Sequence, residues 1–298
     1  MRATALSFRF CRGILSVQQL EFVHSMQRLC TLAALLSLLS SFCFAWGPEG
    51  HRVAADVARG HLNVTARRAV VQLLGDADLA SISTWADEIR RDRLETFGWH
   101  FVDIPWSANG FDEQRDCYHP SDRNPSTLND HHNCVVDRIG IFQSVLGNPR
   151  APRRERVEAL KFLVHFVADL HQPLHAIAEA KGGNDVHIVQ FGSVECGSRP
   201  CDLHGTWDIG LIEHAHRPEG EYVDRLEQMI TQQKLDGRAG GTPEQWAKES
   251  FHIAHHVWAS DGYVIDEAYY RRNIRVVDEQ LALAGLRLAR LLNDALGR

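Results

Sequence analysis

Positive charge is what this 298-residue chain lacks: 32 Lys and Arg stand against 38 Asp and Glu, a formal net charge of −6. A protein that grips nucleic acid by neutralising phosphates with its own side chains should be basic. That mode is excluded, so a phosphate-handling version of this chain would need bound metal to supply the positive charge. Also missing is an apolar run of membrane-spanning length. From Met26 the chain reads MQRLCTLAALLSLLSSFCFA: one Arg, an apolar stretch, then small residues at Cys43 and Ala45. Those are the −3 and −1 positions of a cut before Trp46. The segment is too short and wrongly flanked for a transmembrane helix and reads as a secretory signal, with a retained anchor as the competing reading. Residues 1–45 are therefore expected to be removed, Met26 is the expected start of translation, and the product is expected outside the cytoplasm, secreted or periplasmic.

The removed part carries four Arg and one Glu, so residues 46–298 hold 28 basic and 37 acidic groups, a balance of −9. That segment is long enough for one large domain around a single core. It contains no internal repeat, no linker and no CxxC pair. Three of the seven cysteines (Cys11, Cys30, Cys43) fall in the signal. The remaining four are an even set in an oxidising compartment. Cys196 and Cys201 bracket the short loop CGSRPC and are expected to pair, which leaves Cys117 with Cys134. A cysteine-based zinc site is the alternative, and the spacing disfavours it.

Strand signals are scarce and helix signals plentiful. TARRAVVQLLG (65–75) opens with a Thr cap and closes on Gly75. Residues 78–91, 128–146 and 152–171 show helical apolar spacing, the last between Pro152 and Pro173. Thr242-Pro243-Glu244-Gln245 has the form of a capping box opening a helix through Trp246, Ile253 and Val257. Ile274, Val277, Leu281, Ala284, Leu288, Leu291 and Ala295 form a buried stripe on a C-terminal helix. Two pieces look extended, WHFVDI (99–104) and DVHIVQF (185–191), and 105–127 is the longest irregular stretch. The expected fold is mainly α, a single-domain helical bundle with little strand.

There are 17 histidines, and the densest signal among them is FLVHFVADLHQPLH (162–175). His165 and Asp169 are four apart on one helix face, the spacing that lets two side chains reach one ion. Pro173 ends the helix, so His175 can turn back to the same cleft. A lone His on an apolar helix is ordinarily a satisfied core residue. Burying a carboxylate beside it is costly unless the pair has a partner. DLHGTWD (202–208) repeats the spacing with His204 and Asp208. WADEIR (85–90) offers Asp87, WHFVD (99–103) offers His100, and WGPEGH (46–51) offers His51 with a free amine at Trp46 if the cut is there. The runs His131-His132 and His252-His255-His256 have no carboxylate in register and read as solvated helix face.

Taken in order, W-G-x-x-G-H, W-A-D, W-H-F-x-D, H-F-x-x-D-x-H-Q-P-L-H, G-G-N and L-H-x-x-W-D resemble the secreted single-strand-specific zinc nucleases of fungi and plants, the nuclease S-one and P-one type. Those belong to a superfamily shared with bacterial zinc phospholipase C. The resemblance runs over essentially all of 46–298, including W-A-x-E-S at 246–250. It implies a helical bundle of that superfamily and three zinc ions. One would be held by Asp87, His100, His165 and Asp169. A second, sharing Asp169, would be held by the Trp46 amine and carbonyl with His51. A third would be held by His175, His204 and Asp208. Where the family reads N-L-H, this chain has Asp202, which puts a supporting contact in doubt. Three Zn²⁺ against three carboxylates leave about +3 at the cleft of an acidic protein.

The resemblance also implies the chemistry. Paired zinc ions lower the pKa of a shared water, and the resulting hydroxide attacks phosphorus in line. The third ion stabilises the leaving 3′ oxygen, so the products carry 5′-phosphates. Asp103 would orient the water, Arg90 would brace the charge on the phosphoryl oxygens, and Phe101 would stack an unpaired base. Asn184 and Asp185 would hold a base edge or phosphate. An ion-paired surface Arg, a turn-capping Asp and a core Phe are the ordinary readings of Arg90, Asp103 and Phe101. Expected substrates are single-stranded nucleic acid and 3′-nucleotides, and the protein is expected to be a monomer without stable membrane association. A zinc phospholipase C and a non-catalytic zinc binder are the rival functions. The first would favour a longer carboxylate at position 208, and the second would not need Arg90, Asp103 and Phe101.

Overall fold

The computed structural model describes residues 46–117 and 133–297. Helix α1 (Pro48–Gly60) begins with Pro in its first turn, where a missing N–H leaves no bond unmade. Helix α2 (Val64–Leu74) is capped by Asn63, whose side chain accepts the Ala66 N–H at 2.8 Å, and it ends on Gly75 at φ 70°. The expected Thr65 cap is corrected by two residues: Asn63 keeps extended φ/ψ just outside the helix, where a cap must sit. Of the expected helix 78–91 only α3 (Trp85–Ile89) is regular. Residues 79–84 are successive turns, and the buried carbonyl of Ser83 faces an imidazole.

Helix α4 (Val135–Gly147) starts seven residues after the expected 128, with 128–132 outside the described residues. Helix α5 (Arg153–Leu170) follows Pro152 as expected, and every residue from Phe162 to Leu170 is buried. A helix apolar all round belongs in the centre of a bundle. Helix α6 (Glu219–Gln233) buries only Tyr222, Leu226 and Ile230. Helix α7 (Pro243–Val257) has the expected capping box between Thr242 and Gln245. Helix α8 (Glu267–Leu296) is capped by Asp266 and buries Val277, Leu281, Ala284 and Leu288 to within 1% of complete exclusion. Each such Leu contributes about 1.5–3 kcal/mol of burial.

The central packing is α4 against α5 and α8 against α1. Gly285 makes the second possible: a Cβ there would lie 2.5 Å from Val57 Cγ1 and 2.9 Å from the Ala54 carbonyl. Strand is confined to short pieces. β1 (Val189–Gln190) pairs in parallel with Val264–Ile265, and Glu195–Cys196 pairs antiparallel with Arg199–Pro200. The expected extended run 185–191 thus shortens to β1 and a bridge from His187 to Asp202. Both expected disulfides are formed, Cys117–Cys134 and Cys196–Cys201.

The segment 99–104 differs most from its expectation. Trp99 and His100 close a 3₁₀ turn (Leu94–His100), and only the residues after them are extended. They do not join a sheet. Instead the Val102 N–H donates to the His175 carbonyl at 2.8 Å and the Ala178 N–H to the Ile104 carbonyl at 2.9 Å. Alternation survives: Val102 and Ile104 are fully buried, while Phe101 and Asp103 are half-exposed on the opposite side. Among the described residues no helix is long and apolar enough to cross a membrane.

Candidate metal centre

Separate elements bring their polar side chains to the buried end of α5. His51 comes from α1, Asp87 from α3, His100 from the 3₁₀ turn, and His165 and Asp169 from α5 itself. His51, His165 and Asp169 are wholly excluded from solvent, and Asp87 and His100 nearly so. Asp169 sits between two groups. Its Oδ1 lies 3.4 Å from His51 Nε2, while its Oδ2 lies 3.0 Å from His100 Nδ1 and 3.3 Å from His165 Nε2. Asp87 completes the second group at 3.7 Å from both His100 and His165. The two rings of His51 and His165 stack at 4.0 Å, which sets the two groups side by side.

A third group is built from His175, His204 and Asp208. His175 lies in the 3₁₀ turn Pro173–Ala176 that follows α5. His204 lies in a short helical turn, and Asp208 in the π-turn Thr206–Gly210 that continues it. A π-turn inserts a residue into the helical ladder and re-aims the side chains around it. His204 Nε2 is 3.3 Å and His175 Nε2 3.8 Å from the Asp208 carboxylate.

These separations decide between two kinds of site. Two ligands each about 2.0–2.2 Å from one tetrahedral ion lie ~3.3–3.6 Å apart. Six contacts at 3.3–3.8 Å fit that edge better than they fit hydrogen bonds, whereas His100 Nδ1 lies at hydrogen-bond distance from Asp169 Oδ2 (3.0 Å) and His165 Nε2 (3.1 Å). Both oxygens of Asp87, Oδ1 of Asp169, both ring nitrogens of His51, His100 Nε2 and His175 Nε2 are buried with no hydrogen-bond partner. So many buried polar atoms would be costly in a core that used them only for packing. The donor set of imidazole and carboxylate suits zinc.

Neighbouring backbone fixes the rings. Nδ1 of His165 donates to the Ser83 carbonyl at 2.7 Å, that of His175 to the His100 carbonyl at 2.9 Å, and that of His204 to the Gly182 carbonyl at 2.7 Å. A carbonyl can only accept, so each ring presents the lone pair of Nε2 inward. Gly182 is required twice over: its φ is 64°, and a Cβ there would lie 2.5 Å from the Leu174 carbonyl and 3.2 Å from His204 Nδ1. The glycines of G-G-N therefore shape the third group.

Electrostatics point the same way. Burial, then neighbouring cations, hold His51, His100 and His175 well below the ordinary histidine value, so they are neutral and able to ligate. Burial raises Asp87, and it raises Asp169 to about 6 against the pull of His165. Burial opposes protonation of His165, but with no cation between them Asp169 and Asp87 outweigh it and lift that ring to about 9, so a bound divalent ion would have to displace this proton before the Nε2 lone pair could face it. The cluster draws in one positive charge even from its own histidine, which is the electrostatic demand a divalent cation would meet.

The other sequence-derived candidates lie outside these three groups. Arg90 caps α3, is 8% exposed, and places Nη1 3.7 Å from Asp87 Oδ1. Phe101 and Asp103 face the same side of the extended segment. Trp46 is fully buried, and the next N–H, that of Gly47, donates to the Asp208 carbonyl at 2.6 Å. Asn184 Nδ2 donates to the Lys181 carbonyl at 2.7 Å, and the exposed Asp185 pairs with Lys181 at 2.9 Å. Asp202, in the place of the family's Asn, accepts the Gly205 N–H at 2.7 Å and so caps the turn that carries His204. His131 and His132 lie outside the described residues.

Three contributors escaped sequence reasoning. Gln172 donates to Asp208 Oδ1 at 2.5 Å and accepts from the Leu174 N–H at 2.6 Å, pinning the carboxylate of the third group. Its signal is its place in the H-Q-P-L-H run, which assigns it no role. The Ser83 carbonyl acts through backbone and leaves no trace in residue type. Phe97, 53% exposed, lies 5.4 Å from the Arg90 guanidinium and edge-on to Phe101 at 5.9 Å. Cys117, Cys134 and Asp137 also converge, but the disulfide occupies both sulfurs.

The model of the S1/P1 Nuclease family matches residues 46–297. Endonuclease 2 of Arabidopsis thaliana is 29% identical over 279 residues, covering 85% of this chain and 91% of its own length. Nuclease S1 of Aspergillus oryzae is 26% identical over 90% of this chain and 98% of its own. Nuclease P1 of Penicillium citrinum is 28% identical over 85% and 98%.

Proposed function

The chain belongs to the S1/P1 nuclease family and is a hydrolase of phosphodiester bonds, and we propose that it is a zinc-dependent endonuclease that cleaves single-stranded DNA or RNA through three metal positions. The carrying observation is the division of the Asp169 carboxylate, one oxygen toward His51 and the other toward His100 and His165. That is what a carboxylate shared between two neighbouring ions requires. Asp87, His100, His165 and Asp169 form the first position. His51, Asp169 and the Trp46 amine and carbonyl form the second. His175, His204 and Asp208 form the third.

Bound there, zinc supplies Lewis acidity and an acidified water at working pH. The chain's own residues do the rest. Asp103 orients the attacking water and accepts its hydrogen bond. Arg90, held by burial beside Asp87 and under Phe97, presents its guanidinium to the phosphoryl oxygens as charge grows on them. Phe101 offers a ring to the base next to the scissile bond, and a paired base cannot take it, which selects single strands. An ion held by His175, His204 and Asp208 would stabilise the leaving 3′ oxygen, in which case products would carry 5′-phosphates and 3′-nucleotides would be substrates. Asn184 and Asp185 lie at the edge of that position and contact the base or the phosphate.

The Trp46 amine becomes available only when residues 1–45 are removed. Full burial of Trp46 and the Gly47–Asp208 bond anchor the chain start beside the site. Residues 46–298 then form the mature domain, a monomer, and the two disulfides agree with a secreted or periplasmic location. The test is metal analysis of protein starting at Trp46, coupled to cleavage assays on single-stranded DNA and RNA, duplex DNA and phosphatidylcholine. Zinc with single-strand cleavage is expected. Hydrolysis of the lipid alone, or zinc without any cleavage, overturns the reading.

A further inference from the structure

Seven tryptophans occur in the chain, and Trp106 is the most exposed of them, at 38%. It does not stand alone. Its ring lies 4.0 Å from that of His255 and 5.4 Å from that of Trp258, and His255 in turn meets Phe251 at 4.7 Å. His252 is exposed one turn before His255 on α7. Lys248, exposed on the same helix, lays its side chain against the Gly110 end of the Trp106 loop: a Cβ on Gly110 would touch Lys248 Cδ and Cε at 3.4 Å. The result is an aromatic surface edged by imidazoles and an ammonium, on a domain whose overall charge is negative. The three imidazoles of α7 do not converge as metal ligands; the metal-competent groups among the described residues lie elsewhere.

Position connects this surface to the candidate centre. Trp106 is five residues beyond Phe101 and three beyond Asp103, on the continuation of the same segment. Five residues span at most ~18 Å. Helix α7 packs on the turn that carries His175, and Ser250 Oγ donates to the Leu170 carbonyl at the end of α5, at 2.6 Å. The surface therefore flanks the third metal position, at a distance a strand of a few nucleotides can bridge.

We propose that Trp106, Trp258 and His255, with Lys248, form an outer subsite that stacks an unpaired base of the substrate strand several nucleotides from the scissile bond. Rings with exposed faces accept any unpaired base, and the nearby cation offers a contact to the phosphate beside it. The assignment rests on the single-strand nuclease reading. It gives the enzyme a reason to prefer long strands over short ones without a further catalytic group.

The test compares a thymidine dinucleotide with a 12-residue oligothymidylate as substrates for mature enzyme and for Trp106→Ala. Stacking is worth ~1–3 kcal/mol per base, so KM for the long strand should rise about 5- to 150-fold while dinucleotide turnover holds. Lys248→Glu, which leaves the aromatic packing alone, should weaken the long strand only and flatten its salt dependence. An unchanged KM for both lengths in both variants overturns the subsite. An equal loss on both lengths also overturns it, by making Trp106 part of the catalytic fold. If the parent enzyme cleaves neither strand, the nuclease reading has failed first.

Discussion

Two His–Asp pairs with the same four-residue spacing serve this site in different ways. His165 and Asp169 ride in the buried C-terminal half of an 18-residue helix, whereas His204 and Asp208 sit in a short turn that passes into a π-turn. The long helix holds its pair mainly by burial, helped by the Ser83 carbonyl on His165 and by His100 Nδ1 at 3.0 Å from Asp169. The turn cannot, so its pair is held by hydrogen bonds: Gly182 to His204, Gln172 to Asp208, and Asp202 to the turn itself. Helical spacing brings two ligands within reach of one ion, but the surroundings decide how many ions a carboxylate serves. Asp169 is reached by three imidazoles from three elements and has an oxygen for each side. Asp208, with one oxygen committed to Gln172, faces a single group.

The largest expected effect separates these two carboxylates. Asp169→Asn should lower kcat on single-stranded DNA by ~10³-fold or more, because a neutral amide bridges poorly and both neighbouring positions suffer. Asp208→Asn should lower it by ~10²–10³, the scale of losing one element of leaving-group stabilisation. A larger loss in Asp208→Asn would reverse the division of labour drawn here.

The start of the chain sharpens the same contrast. One extra residue before Trp46 turns its amine into an amide nitrogen with no lone pair for metal. Activity should fall nearly as far as in Asp169→Asn and return when a protease trims the extension and zinc is restored. Equal activity in extended and trimmed protein would mean that Trp46 only packs.

Gln172→Ala probes the buttressed pair. Removing a partner that orients a ligand weakens metal binding ~10–100-fold. The loss should be confined to one ion, seen as a single population released early in a chelator titration. Release of all zinc together would place Gln172 in the fold at large.

The smallest effect is at the mouth. Phe101→Ala should raise KM for single strands by about 5- to 150-fold with zinc content unchanged. A parental KM would return Phe101 to ordinary packing.

What could be read from the sequence follows the same division. The pairing on α5 was legible because a long, strongly periodic helix is determined locally. The capping box at Thr242 and the C-terminal stripe were legible for the same reason, the Cys196–Cys201 disulfide was legible from its short loop, and Cys117–Cys134 followed by elimination. Asp87 and His100 were weaker signals: each lies on a short piece whose position depends on contacts far along the chain, and the ordered family pattern was needed to join them to the pair on α5. The turns at 79–84 stand where a helix was expected, and there the Ser83 carbonyl accepts from His165 far along the chain. Likewise 101–104 is extended without a sheet because its backbone bonds go to 175–178. Gln172 and the Gly182 carbonyl support candidate ligands without being candidates themselves, and residue type alone could not distinguish them.

Zinc content per chain tests the central claim most directly. Mature parent, Asp169→Asn and Asp208→Asn, each dialysed against trace zinc and verified as folded, would be compared by elemental mass spectrometry. The shared-carboxylate account predicts three ions in the parent, one in Asp169→Asn and two in Asp208→Asn. Loss of a single ion in each variant, or an Asp169→Asn protein that keeps all three, would contradict it.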